Sequence, residues 1–130
     1  MSDCSNLTFL NLSNFNTKNI ISMNYLFNNC KSLTSIDLSS FNTSHITSMY
    51  KVFSGCISLQ SLNIKYFETY SVTTMAYLFN NCSSLKNIDI KNFNTSLVND
   101  MNYMFNGNSN LESLNLESFD TSKVKSMEYN

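Results

Sequence analysis

The stretch Cys30-Lys31-Ser32-Leu33-Thr34-Ser35-Ile36-Asp37-Leu38-Ser39-Ser40-Phe41-Asn42-Thr43-Ser44-His45-Ile46-Thr47-Ser48-Met49-Tyr50-Lys51-Val52-Phe53-Ser54-Gly55 holds the plan of the whole chain. It is 26 residues long and it recurs. Cys4, Cys30, Cys56 and Cys82 each open a copy, 26 residues apart, and Asn108 opens a further one. The 130 residues therefore read as one repeat array, 1–130, divided at 4–29, 30–55, 56–81, 82–107 and 108–130. A fixed period of this length marks a solenoid, in which each coil packs on its neighbours and cannot bury its apolar face alone.

Inside the stretch, Leu33, Ile36 and Leu38 form the first apolar group, matched by Leu7, Leu10, Leu12 at the start and Leu111, Leu114, Leu116 at the end. The last positions alternate apolar and polar, the period of a strand with one face inward. Successive copies place these strands side by side, so the predicted sheet is parallel. With about 4.8 Å between strands, five of them make a sheet about 25 Å wide.

A phenylalanine follows in every copy: Phe15, Phe41, Phe67, Phe93, Phe119. It reads as an aromatic spine of the core. Next come Asn or Asp and then Thr, as in Asn42-Thr43 and Asp120-Thr121, with Glu68-Thr69 departing. These are helix N-cap residues, and Phe41 with Ile46 would form a hydrophobic staple. The pattern Val98, Met101, Met104, Phe105 then predicts one face of a short helix. Its polar positions are Ser, Thr and Asn, weak helix formers, so the segment is expected to be short or partly 3₁₀. The methionine column (Met23, Met49, Met75, Met101, Met127) reads as adaptable core filler. Asn29, Gly55, Asn81 and Gly107 close the coils, and both residue types enter the left-handed region readily at a helix end.

Composition excludes several classes of function. Net charge is −1, without a basic footprint for nucleic acid. No apolar run approaches the length that spans a bilayer. Met1-Ser2-Asp3-Cys4 lacks a basic region followed by an apolar one, so no export signal is expected in this segment. The four cysteines share one column, where parallel side-chain directions fit a disulfide poorly. Asn108 replaces cysteine in that column, which favours a reduced, buried, hydrogen-bonding position, with disulfides the alternative. No C-x-x-C pair suggests zinc. The single histidine, His45, lies in a variable column, and no nucleophilic or paired-carboxylate constellation recurs. No catalytic residue, metal ligand or cofactor is therefore expected.

The pattern Cys/Asn-x-x-Leu-x-x-Leu-x-Leu-x-x-Phe-x-Thr-x-x-Val-x-x-Met-x-x-Met-Phe, over residues 4–129, resembles the BspA-like class of leucine-rich repeats. The resemblance implies an α/β leucine-rich-repeat solenoid of about five coils, with a parallel β-sheet on the concave side and short helices on the convex side. It also implies a binding or adhesion role, on a protein or glycan partner, at the cell surface or outside the cell. With no export signal in this segment, a cytoplasmic place stays open.

In such a coil the solvent-facing strand positions line the concave side. The candidate binding columns are Phe9, Ser35, Ser61, Asn87, Ser113; then Asn11, Asp37, Asn63, Asp89, Asn115; then Ser13, Ser39, Lys65, Lys91, Glu117. The middle column alternates amide and carboxylate, which removes the repulsion of stacked carboxylates. A self-satisfied polar column is the plainer reading. Leu-Asn and Ile-Asp alternate with the same rhythm as the closing residues, as if the array grew by pairs of coils. A second candidate surface is the tyrosine column Tyr25, Tyr77, Tyr103, Tyr129, broken by Lys51. A third possibility lies in the ends. End coils without polar caps invite copies of the same chain to stack end to end as a structural building block.

Overall fold

The computed structural model describes residues 1–130. Alternation at Ile36 and Leu62 gives two short strands, β1 (Ser35–Asp37) and β2 (Ser61–Asn63). They pair in parallel, with Ser35 opposite Ser61, Ile36 opposite Leu62 and Asp37 opposite Asn63, a register of one repeat. A single bridge between Asn87 and Ser113 repeats the arrangement further along. The expected broad sheet is thus reduced to one two-stranded pair and a bridge on this face. Each arm is only three residues long, so the coils are held together mainly elsewhere.

The main tie runs through the segment in which helices were expected, and no helix forms there. Parallel bridges link Ser22, Ser48, Thr74, Asp100 and Ser126 in turn. The N–H groups of Met49, Lys51, Phe53 and Gly55 donate to the carbonyls of Thr74, Ala76, Leu78 and Asn80 in the next coil, at 2.8–3.1 Å. An α-helix sends each N–H to the carbonyl four residues earlier in its own segment. Here alternate donors leave the coil instead. Tyr25, Lys51, Tyr77, Tyr103 and Tyr129 have φ between 55° and 60°, which no right-handed helix accommodates. Between the ladder bonds the chain folds into tight turns, closed by Leu26 N–H to Met23 O and Cys30 N–H to Phe27 O. A left-handed residue at the third position of such a turn fits the type II geometry. Tyr25 and Asn29 occupy those positions.

The Asn/Thr pair also plays a different part from a helix cap. Asn42 Oδ1 accepts from Ser44 N–H at 3.1 Å, and Asn94 Oδ1 from Ser96 N–H at 3.0 Å, which are Asx turns. The threonines beside them are buried. Thr43 Oγ1 accepts the Glu68 N–H at 2.7 Å and donates to the Glu68 carbonyl at 3.1 Å. Thr69 and Thr95 repeat this on Asn94 and Asp120. A hydroxyl that both accepts and donates thereby replaces two strand-to-strand backbone bonds inside the core.

One continuous apolar cluster fills the interior. Its stacked rings belong to Phe27, Phe53, Phe79 and Phe105, at centroid spacings of 5.8, 5.6 and 5.9 Å. Phe41, Phe67 and Phe93 are buried in the same core, whereas Phe15 is 51% exposed on the first coil. Met23, Met49, Met75 and Met101 are buried, and Met127 is exposed. Cys30, Cys56 and Cys82 are buried free thiols, and Cys4 is exposed. Cys56 Sγ donates to Phe27 O and Cys82 Sγ to Phe53 O, both at 3.1 Å. At the fifth position of this column, Asn108 Oδ1 accepts the Cys82 N–H at 2.9 Å.

The closing column holds the left-handed backbone that its residues predict. Asn29 and Asn81 have φ of 56°, Gly55 and Gly107 of 75°, and Asp3 of 62° joins them. A Cβ on Gly55 would run into Asn29 Oδ1, and one on Gly107 into Asn81 Oδ1. The Asn and Gly positions are sterically matched: Asn29 and Asn81 fill the space that a side chain at Gly55 and Gly107 would take, whereas Asp3 and Asn29 share the column by a hydrogen bond from Asn29 Nδ2 to Asp3 Oδ1 at 2.8 Å.

Candidate functional site

The strand face is built from the alternation itself. Inward Ile36 and Ile88 are buried, and the residues flanking each of them, Ser35 and Asp37, Asn87 and Asp89, point outward. The three predicted columns lie in the open, with Ser39 alone half-buried. The middle column is not free to reorient. Asn11 Oδ1 accepts the Ser13 N–H at 3.0 Å, Asp37 Oδ1 the Ser39 N–H at 2.9 Å, and Asn115 Oδ1 the Glu117 N–H at 2.9 Å. Asn63 and Asp89 make the same contact to Lys65 and Lys91 at 3.4 and 3.5 Å. Each Asn or Asp closes an Asx turn at the end of its strand arm and leaves its second side-chain atom outward. The Ser39 N–H and hydroxyl, then the Asn63 amide, hold the Asp37 carboxyl below the usual carboxylate range.

Charges on this face pair loosely. Lys91 Nζ lies 3.4 Å from Asp89, and Lys86 Nζ lies 3.1 Å from Glu112. All four side chains are more than half exposed, where such pairs contribute little. Asn87 Oδ1 accepts from Ser113 Oγ at 2.9 Å. Phe9, 74% exposed, stands at the edge of a hollow of about 250 Å³ lined also by Asn11, Ser13, Asp37 and Ser39. The face is thus a ribbon of fixed polar groups with one exposed aromatic at its start. No group of three His, Cys, Asp or Glu side chains converges to hold a metal ion.

The tyrosine column forms a ladder on the other side. Tyr103 stacks on Tyr77 and on Tyr129, in both cases with centroids 4.7 Å apart and rings within 17° of parallel. Where Lys51 breaks the column, the adjacent Tyr50 fills the gap. It meets Tyr25 at 5.3 Å and Tyr77 at 5.7 Å, both edge-on. Lys51 Nζ lies over Tyr50 at 5.3 Å and over Tyr77 at 4.6 Å. Desolvation, then Tyr129 and Tyr77, push the Tyr103 phenol above its ordinary range. Column reading misses Tyr50 because it assumes that only residues in one register can touch. The exposed Tyr66 and Tyr70 are likewise outside every predicted column. Their signal is that the third repeat carries Tyr where other copies carry Ser, Asn or Lys.

A family model described as "Mycoplasma protein of unknown function, DUF285" matches residues 1–87 and again residues 61–130. The chain belongs to the DUF285 family. The DUF285 chain is also similar to a leucine-rich repeat protein of known crystal structure from Eubacterium ventriosum, with 23% identity and a TM-score of 0.48. That likeness covers 72% of the DUF285 chain and 23% of the other, so the chain spans less than a quarter of that protein's length. No curated protein matches the DUF285 chain. No helix in it is long and apolar enough to cross a membrane.

Proposed function

We propose that this chain is a non-catalytic binding module of the BspA-like leucine-rich-repeat kind, part of a cell-surface adhesion protein. On this reading it takes a protein or glycan partner on the strand face. The observation that carries the reading is the ribbon of outward polar side chains fixed by Asx turns, from Asn11 to Asn115. Side chains already held in place lose little freedom on binding, which favours recognition. The test is capture of the purified chain on immobilised matrix proteins and glycans. A variant with Asp37→Asn, Asp89→Asn, Lys65→Gln and Lys91→Gln keeps the turn acceptors but removes the charges. Lost capture with an unchanged circular dichroism spectrum supports the reading. Capture equal to the parent by the variant overturns it.

A second reading, end-to-end assembly, is favoured by the apolar faces of the outer coils. At one end Met101, Met104, Phe105, Leu114, Phe119 and Met127 border a hollow of about 360 Å³. At the other, Phe15, Ile20, Leu26 and Met1 surround a smaller one. A further coil of the same chemistry fits either face, from a continuing chain or from a second copy. Light scattering over a concentration series separates the readings. Mass rising with concentration supports assembly, and a constant 14.9 kDa overturns it.

A further inference from the structure

We propose that Tyr103 and its ladder neighbours are an oxidative cross-linking site, at which a peroxide-driven, haem-peroxidase-class oxidant joins Tyr103 to Tyr129 or Tyr77 as dityrosine. The argument starts from coil spacing. Coils stack at the strand-to-strand distance, about 4.8 Å, and a tyrosine repeated every 26 residues is carried to that spacing. The rings of Tyr77, Tyr103 and Tyr129 stand 4.7 Å apart, with interplanar angles of 7° and 17°. Near-parallel rings at that separation bring neighbouring phenols together, so that a side-chain rotation can join the carbons ortho to their hydroxyls. Dityrosine forms at those carbons.

The chemistry balances. Each phenol gives up one electron and one proton to become a tyrosyl radical. The two radicals pair their electrons in a new bond between ortho carbons. The hydrogen on each of those carbons then moves to the phenolic oxygen, restoring both aromatic rings. The pair has lost two electrons and two protons in all, and one hydrogen peroxide takes them up to become two waters.

Position within the ladder sets the choice of partner. The pairs Tyr25–Tyr50 and Tyr50–Tyr77 meet edge-on, at 76° and 72° and with centroids 5.3 and 5.7 Å apart, so these rings are farther apart and turned across each other. The Lys51 ammonium over Tyr50 and Tyr77 disfavours an electron-poor ring at both. Oxidation is thereby directed toward Tyr103 and Tyr129, and the cross-link ties neighbouring coils covalently.

The test is oxidation of the dilute full chain with horseradish peroxidase and hydrogen peroxide. The expected product is a monomer with blue dityrosine fluorescence and an intact mass lower by two hydrogens. Its tryptic digest should join peptide 92–123, which holds Tyr103, to 126–130 in the larger share and to 66–86 in the smaller. Tyr103→Phe, which keeps ring and backbone, should remove the monomer fluorescence. A Tyr66→Phe/Tyr70→Phe variant should leave it unchanged, and Lys51→Gln should raise the share joined at Tyr77. Monomer fluorescence that survives Tyr103→Phe, or cross-links confined to covalent dimers, overturns the proposal.

Discussion

Gly55 and Gly107 combine a left-handed backbone with a neighbour that fills the space of a side chain. Gly55→Ala should therefore destabilise by about 1–3 kcal/mol in urea unfolding, the cost of a residue held in strained backbone. Part of that loss should return in the double variant Asn29→Gly/Gly55→Ala, because glycine suits the left-handed backbone at position 29 and removes the collision, leaving mainly the strain at position 55. Thr69 is a second decisive residue. Thr69→Val keeps the shape but strands the Asn94 N–H, and should cost about 1–3 kcal/mol, while Thr69→Ser should cost less. The buried thiols act through pH. Burial pushes the Cys56 thiol up to about 12 from 9.0, with Cys30 adding to it. The folded state therefore holds this proton after the unfolded chain has released it. Stability should be full below pH 9, fall as pH rises from 9 toward 12, and fall less steeply in Cys56→Ala. At pH 8 a thiol reagent should label the exposed Cys4 quickly and the other three only on unfolding.

At the scale of the element, the apolar spacing in Val98, Met101, Met104 and Phe105 fits a helical face, yet the segment is a ladder arc. The spacing alone does not decide, because an arc of tight turns also brings every third residue inward. The deciding feature is the left-handed backbone at Tyr25, Lys51, Tyr77, Tyr103 and Tyr129, which is illegible in residue types that rarely adopt it. Asn29 and Gly55 were legible as left-handed because those residues favour it. Far-ultraviolet circular dichroism should accordingly lack the paired helical minima. Hydrogen exchange should be slowest at the ladder amides of Lys51, Phe53 and Tyr77 and faster at Ser61 and Asn63. A strong helical spectrum would restore the original expectation. The threonine ladder was equally hidden: Asn-Thr before an apolar run reads as a cap, and only the 26-residue contacts reveal that Thr43 serves the next coil.

For the whole molecule, the period, the core columns, the inward and outward strand faces and the burial of Cys30, Cys56 and Cys82 all follow from the repeat. Repetition multiplies each weak local signal. The strand-face columns were legible for the same reason, whereas Tyr50, Tyr66 and Tyr70 were not, since each departs from its column. Stability in such an array is a sum over coils and their contacts. The exposed Phe15 and Met127 mark the outer coils as the least supported. Appending copies of residues 105–107 and then 82–107 after Asn130, which keeps the 26-residue register, should raise the thermal midpoint by covering Phe119 and Met127. An unchanged midpoint would show that the outer coil gains nothing from a neighbour.

The asparagine leaning over glycine bears on how such a gene can change length. Loss of residues 30–55 alone would set Asn29 directly against the present Asn81, two side chains that would have to share the column as Asp3 and Asn29 do. Loss of residues 30–81 together would set Asn29 against Gly107 and leave the fit intact. Recombination between repeats is thus sorted by parity: even steps keep each asparagine against a glycine, and odd steps demand a new pairing of two side chains.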